Sequence, residues 1–194
     1  MEVNFEIIKE YIGGKREGTI TNDEASMLTA LIWAAKSKDP STQVGACFIN
    51  PNGRVISTGY NGAPNGWHDE EFPWGNAKEI GEENTKYPYV IHAEMNGIMN
   101  YDGPLKDFDG STVYVTLFPC TNCSKLLIQA GVKKVVYLID DRKDTIDNKT
   151  SKLMLKQCGI EYIDFATLTK NVSGIDITLN NTKENVKIKR RGEL

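Results

Sequence analysis

Three apolar, β-branched runs, "STVYVTLF", "KKVVYLID" and "IEYIDF", lie between residues 111 and 165, separated by the helical stretches "TNCSKLLIQAG" and "NKTSKLMLKQCG". This alternation constrains the fold more than any other feature. Parallel strands need long crossovers, and a helix is the usual one. Gly131 and Gly159 each stand where a helix must stop before the next strand.

Upstream, "TNDE" at 21–24 reads as a capping box, with Thr21 capping and Glu24 reaching back. Met27, Leu28, Leu31, Ile32 and Ala35 then recur at helical spacing, and Pro40 closes that helix near "SKDP". "QVGACFINPNGRVISTGYNG" reads as a hairpin turning at "NPNG". Residues 62–90 form a long loop, and loops of that length inside a domain usually carry function. A helix follows from His92 to about Asn100. The order predicts an α/β fold, a three-layer α/β/α sandwich with a mixed five-stranded sheet. Residues 1–20 form a lead of short helix or strand ending in "GGKREG". Residues 21–165 form the domain. Residues 166–194 form a tail that either makes a terminal hairpin or stays partly disordered.

The 194 residues, 40% of them apolar, suit one domain with a single core. A net charge of −3 does not favour nucleic acid as a partner, since phosphate binding needs clustered Lys and Arg. "KIKRR" at 187–191 reads as a solvated tail. No segment approaches the roughly 20 apolar residues of a membrane span, and the acidic start "MEVNFEIIKEY" lacks the pattern of a signal peptide. The expected location is cytoplasmic.

The chain has two histidines, and one of them sits in "HAEMNG", with Glu94 two residues after His92. Residues i and i+2 lie about 200° apart around a helix, so the two are not a matched pair of ligands. "LFPCTNC" supplies the complement. Cys120 and Cys123 flank one helical turn near a helix start, where the dipole favours thiolate. Two thiolates and the His92 imidazole make a three-ligand zinc site with a fourth position open to water. Glu94 is then placed to shuttle a proton beside that water.

H-x-E with P-C-x-x-C is an established signature of zinc nucleobase deaminases. Other readings stand beside it. C-x-x-C also serves as a dithiol redox pair, and a closed structural zinc site would draw a fourth ligand from Cys47 or Cys158. Both of those cysteines read as buried core thiols. Taken alone, His92 could also be a helix cap and Glu94 an ordinary first-turn acid, a minority reading that the cysteines weaken further.

Beyond the zinc motif, "SKDPSTQVGA" (37–46), "GYNGAPNG" (59–66), "NTKYPYVIHAEMN" (84–96) and "YVTLFPCTNCSKLLIQAGVKKV" (114–135) resemble the deoxycytidylate (dCMP) deaminase family of the cytidine deaminase-like fold. The resemblance spans roughly residues 24–165. It implies hydrolytic deamination of dCMP to dUMP and ammonia, a step toward thymidylate. It implies His92, Cys120 and Cys123 as ligands of Zn²⁺ and Glu94 as the catalytic proton carrier. A zinc-activated water would attack C4 of cytosine while Glu94 protonates N3 and then the leaving amine. Asn61 would contact the nucleoside, and Ala93, Thr116 and Phe118 the base.

The resemblance further implies a homo-oligomer, commonly a hexamer, activated by dCTP and inhibited by dTTP, with Mg²⁺ accompanying the triphosphate. The glycines of "GYNGAPNG" let backbone N–H groups approach an anion, which puts the regulatory nucleotide near Gly59, Tyr60, Asn61, Gly62, Trp67 and His68. Those same glycines also read as a strand-ending turn, and His68 as an exposed loop residue. The loop offers no cysteine for the second, structural zinc of some relatives. Arg142 and Lys143 follow a strand at the end where α/β sheets place ligands, and are candidate phosphate contacts or a solvated turn. Another deaminase acting on tRNA or a free nucleoside remains an alternative, as does a non-catalytic nucleotide sensor.

Overall fold

The computed structural model describes residues 18–77, 79, 81–169, 174–178 and 185–189. The expectations for residues 1–17 lie outside the described residues. The elements run α1 (Asn22–Ala34), β1 (Gly45–Ile49), β2 (Val55–Tyr60), α2 (Ala93–Met99), β3 (Thr112–Leu117), α3 (Thr121–Gln129), β4 (Lys134–Ile139), α4 (Ile146–Gln157) and β5 (Glu161–Asp164). β6 (Gly174–Thr178) and β7 (Asn185–Lys189) follow and pair antiparallel as a separate hairpin, the first of the two outcomes the tail allowed.

The sheet order is β2-β1-β3-β4-β5. β1 pairs antiparallel with β2 and β3, while β3, β4 and β5 are mutually parallel. The expected mixed five-stranded sheet is therefore present. Period-two alternation divides its side chains between two cores. Ala46, Phe48, Val113, Val115 and Val135 point to the face covered by α2, α3 and α4, where Ala93, Ile98, Leu127 and Leu155 meet them. Cys47, Tyr114 and Val136 point to the opposite face, against Met27, Leu28 and Ala30 of α1. Helices α3 and α4 share a face because successive crossovers running in one direction keep one hand.

Local chemistry explains the boundaries. Thr21 accepts from the Glu24 N–H at 3.1 Å while Glu24 accepts from the Thr21 N–H at 2.8 Å, so the capping box is complete. The α1 stripe is narrower than its sequence suggests: Ile32 is 63% exposed. At the β1–β2 turn the Asn50 side chain accepts from the N–H groups of Asn52 and Arg54, both at 3.0 Å, and Gly53 takes φ 75°. Gly131 ends α3 at φ 82°, with the Val132 N–H returning to the Leu127 carbonyl at 3.1 Å. Cys47 is a buried core thiol as expected, but Cys158 is not. It lies at the C-cap of α4, past the last turn that packs, and is exposed.

Candidate active site

Helices α2 and α3 begin side by side with unusual residues at their caps. His92 is the N-cap of α2 and Cys120 the N-cap of α3, and neither side chain makes a capping hydrogen bond. Ser, Thr, Asp or Asn would normally turn inward there to satisfy the helix N–H groups. Here the two side chains face each other instead. The cap function at α3 passes to Asp147 of α4, whose carboxylate oxygens each accept from the Thr121 N–H at 3.3 Å, one of them also from the Thr121 hydroxyl at 2.6 Å. Ser151 of α4 donates to the Pro119 carbonyl at 2.8 Å, holding the turn that precedes Cys120.

The His92 Nδ1 atom lies 3.4 Å from Cys120 Sγ and 3.3 Å from Cys123 Sγ. All three donor atoms fall within 4.8 Å of one another. A tetrahedral zinc ion, with bonds of about 2.3 Å to sulfur and 2.0 Å to nitrogen, needs sulfur and nitrogen about 3.5 Å apart. The donor set and its spacing fit that ion.

Glu94 is in the first turn of α2 and 3% exposed. Its Oε2 accepts from Cys123 Sγ at 3.4 Å, so it meets the same thiol as the His92 ring. Burial raises the Glu94 pKa above the ordinary carboxylate range, with His92 opposing. A hydrogen bond from Cys123 is the largest influence lowering Cys120 to about 4, and His92 adds to it. The same bond and burial push Cys123 well above its ordinary value. Hydrogen bonding to Cys120 raises His92. Binding a metal ion here would require both cysteines as thiolates and the imidazole free of its extra proton.

A cavity of about 140 Å³ opens onto this cluster, lined by His92, Ala93, Glu94, Leu117, Phe118, Cys120, Asn61 and Arg142 among others. Phe118 is held edge-on by Tyr137 and Tyr162. Of the residues expected from sequence to meet substrate, Asn61, Ala93, Phe118 and Arg142 reach the cavity. Thr116 is buried behind it, accepting from the Gly45 N–H at 3.0 Å, and Lys143 is exposed outside its lining. Asp39 and Lys86, which the sequence reading passed over, line the same cavity.

A second, larger cavity of about 640 Å³ is lined by Gly59, Tyr60, Gly62 and Trp67, with Lys38, Asp69, Asn96 and Asn100. Lys38 pairs with Asp69 across it. Asn61 faces the smaller cavity, and His68 is exposed and lines neither. Gly59 also has a packing role. A Cβ there would stand 2.1 Å from the Ala93 carbonyl oxygen and 2.5 Å from the Gly97 nitrogen. Only a glycine lets α2 lie this close to β2.

Three residues that could hold a metal ion, a buried carboxylate beside them and a small cavity lined by aromatic and amide groups fit the donor set and surroundings of a zinc-dependent nucleobase deaminase. Comparison with known proteins narrows the class. Residues 20–139 match the model of the cytidine and deoxycytidylate deaminase zinc-binding region, and the chain belongs to that family. It is 42% identical over 151 residues to a deoxycytidylate deaminase of Mus musculus, covering 78% of this chain and 83% of that protein. A probable deoxycytidylate deaminase of Drosophila melanogaster is 39% identical over 181 residues, covering 86% and 88%. Among solved structures, the dCMP deaminase of cyanophage S-TIM5 in complex with dCMP and dUMP superposes with a TM-score of 0.56 at 34% identity, covering 73% of this chain and 94% of that one.

Proposed function

We propose that this protein hydrolyses dCMP to dUMP and ammonia, supplying dUMP for thymidylate synthesis in the cytoplasm. The observation that carries this reading is the meeting of His92, Cys120 and Cys123 around one point, with the Glu94 carboxylate buried beside it. Zinc held by these three residues would bring the pKa of a water at its open position down toward about 7. Glu94 takes the proton from the attacking water, delivers it to N3 of the cytosine ring, and serves again as the amine leaves. Burial suits the carboxylate to this work, because a raised pKa lets it hold the proton between the two transfers. Phe118 forms the wall against which the base rests, and the Ala93 backbone meets its polar edge. Arg142 receives the 5′-phosphate: it lines the cavity, and among the described residues no carboxylate pairs with it.

The larger cavity is assigned to the regulatory triphosphate, dCTP activating and dTTP inhibiting, with Mg²⁺ on its phosphates. Asn96 and Asn100 line that cavity from α2, whose first turn holds Glu94, and Asn96 donates to the Tyr60 carbonyl at 2.7 Å. One rigid helix thus touches both ligands. A homohexamer is the assembly assigned by family likeness. Residues 21–165 are assigned as the catalytic domain, between a lead and a tail. Among the described residues no helix is long and apolar enough to cross a membrane.

Ammonia release from dCMP, cytidine and adenosine, with and without dCTP and Mg²⁺, tests the proposal. Rapid release from dCMP alone, stimulated by dCTP, is expected. Preference for cytidine or adenosine would overturn the substrate assignment, and indifference to dCTP the regulatory one.

A further inference from the structure

Asp39 and Lys86 form an ion pair inside the cavity that opens onto the metal site. The Lys86 Nζ donates to both carboxylate oxygens of Asp39 at 2.6 Å, and the side chains are only 6% and 2% exposed. Asp39 also accepts from the Ser41 and Thr42 N–H groups at 2.8 and 3.1 Å, and from the Asn61 side-chain amide at 3.2 Å. A carboxylate has about four acceptor positions, so Asp39 has none left for a substrate. Buried pairs of this kind are poor stabilisers, since desolvation offsets most of their attraction. Its value must lie in what it orients.

What it orients is Asn61. Both amide hydrogens are engaged, one on Asp39 and the other on the Thr42 carbonyl at 3.0 Å. The Asn61 Oδ1 accepts from the Val44 N–H at 2.8 Å. The two partners of Nδ2 only accept and the partner of Oδ1 only donates, so the amide has a single allowed orientation. The spare capacity is the second lone pair of Oδ1. At this wall the cavity therefore offers an acceptor and meets a donor, such as a sugar hydroxyl.

We propose that the Asp39–Lys86 pair is a positioning device that locks the Asn61 carboxamide with its oxygen toward the substrate, so that the site selects nucleotides carrying a free sugar hydroxyl. Lys86 also ties this wall to the catalytic helix. Its carbonyl accepts from the Tyr89 and Val90 N–H groups, in the segment that leads into His92. Without Lys86, the Asp39 charge loses its counter-ion and the amide loses its fixed partner. The inference rests on the dCMP deaminase reading.

The experiment compares dCMP with 2′,3′-dideoxycytidine 5′-monophosphate in the zinc-loaded protein, its Lys86→Met variant and the Asp39→Asn/Lys86→Met double variant. The double variant leaves no lone buried charge, so it decides the matter if the single variant does not fold. The unmodified protein should prefer dCMP by at least about tenfold in kcat/KM, because an acceptor left unpaired penalises the analogue. In the variants that preference should fall toward unity. KM for dCMP should rise about tenfold, with kcat within about threefold and zinc content unchanged. Lys86→Arg, which keeps the charge, should restore part of the preference. Unchanged preference in a folded, zinc-loaded double variant would overturn this inference alone, as would a fall in kcat with KM unmoved. An unmodified protein silent on dCMP would overturn both the inference and the reading beneath it.

Discussion

Glu94 and Cys123, both buried, share a hydrogen bond of 3.4 Å at the foot of the smaller cavity, so the carboxylate and a candidate metal ligand meet where the substrate would enter. The carboxylate is held by the cluster it serves. Replacing Glu94 with Gln keeps shape and volume but removes the proton carrier. Turnover of dCMP should fall by about 10²–10⁴-fold or more, with zinc content unchanged. Near-normal turnover in the variant would refute the role given to Glu94.

The same substitution should raise stability in the metal-free protein. Burial raises the Glu94 pKa, so the folded chain holds that proton more tightly than the unfolded chain does. The group favours folding fully below its unfolded pKa, and that contribution is lost as pH rises through the folded pKa. As pH rises through the folded pKa the carboxylate becomes a buried charge, which Gln never carries. Each kcal/mol gained moves Tm by about 2–4 °C for a chain of this size. A Tm advantage of the metal-free Glu94→Gln protein that does not grow as pH rises would contradict the account.

Zinc loading should release protons. Cys120, lowered to about 4, is already a thiolate at neutral pH, but Cys123 is pushed well above its ordinary value and His92 is raised. Cys123 must lose a proton to become a ligand, and the rise at His92 strengthens proton competition for its ring nitrogen. Apparent zinc affinity should therefore fall by about tenfold to a hundredfold per unit drop in pH around 7, measured by chelator competition. A pH-independent affinity would exclude this ligand set. Cys120→Ala and Cys123→Ala should each lose the metal, which mass spectrometry of the native protein will show.

The convergence of His92, Cys120 and Cys123 was legible because H-x-E and P-C-x-x-C are short motifs that each open a helix. The sheet was legible because β3 and β4 are nearly continuous apolar runs and helical stretches separate the last three strands. Lys86 and Asp39 were not legible. They lie 47 residues apart, in loops, and a lysine in "NTKYPYV" looks like any solvated loop residue until the fold buries it. Thr116 lies outside the lining of the smaller cavity. Its place just before "PC" suggested substrate contact, but strand alternation turns its hydroxyl to the Gly45 N–H. Cys158 looked apolar in a helix pattern, yet the helix had already ended.

Gly59 was legible as important for a reason that covers half of its role. The glycine suggests backbone approach to an anion, and it does line the larger cavity. It also meets α2 so closely that a Cβ would overlap the Ala93 carbonyl. Gly59→Ala should push away the helix that carries Glu94, lowering stability by about 3 kcal/mol or more and reducing kcat even when dCTP is absent. Loss of dCTP response alone, with normal Tm and basal kcat, would show that the packing is not critical.

Arg142 offers the sharpest separation of substrate roles. It follows β4 at the carboxyl edge of the parallel strands and lines the smaller cavity, while its neighbour Lys143 does not. A guanidinium forks onto phosphate oxygens, and losing such a contact removes binding energy that a nucleoside never used. Arg142→Gln should raise KM for dCMP by about 10–100-fold while leaving kcat/KM for deoxycytidine within about threefold. Lys143→Gln should change neither by more than about threefold, since it stands in solvent. Equal losses on dCMP and deoxycytidine in the Arg142 variant would mean that the arginine supports the fold or the metal rather than the phosphate. A large KM effect from Lys143→Gln with none from Arg142→Gln would move the phosphate to the outer turn.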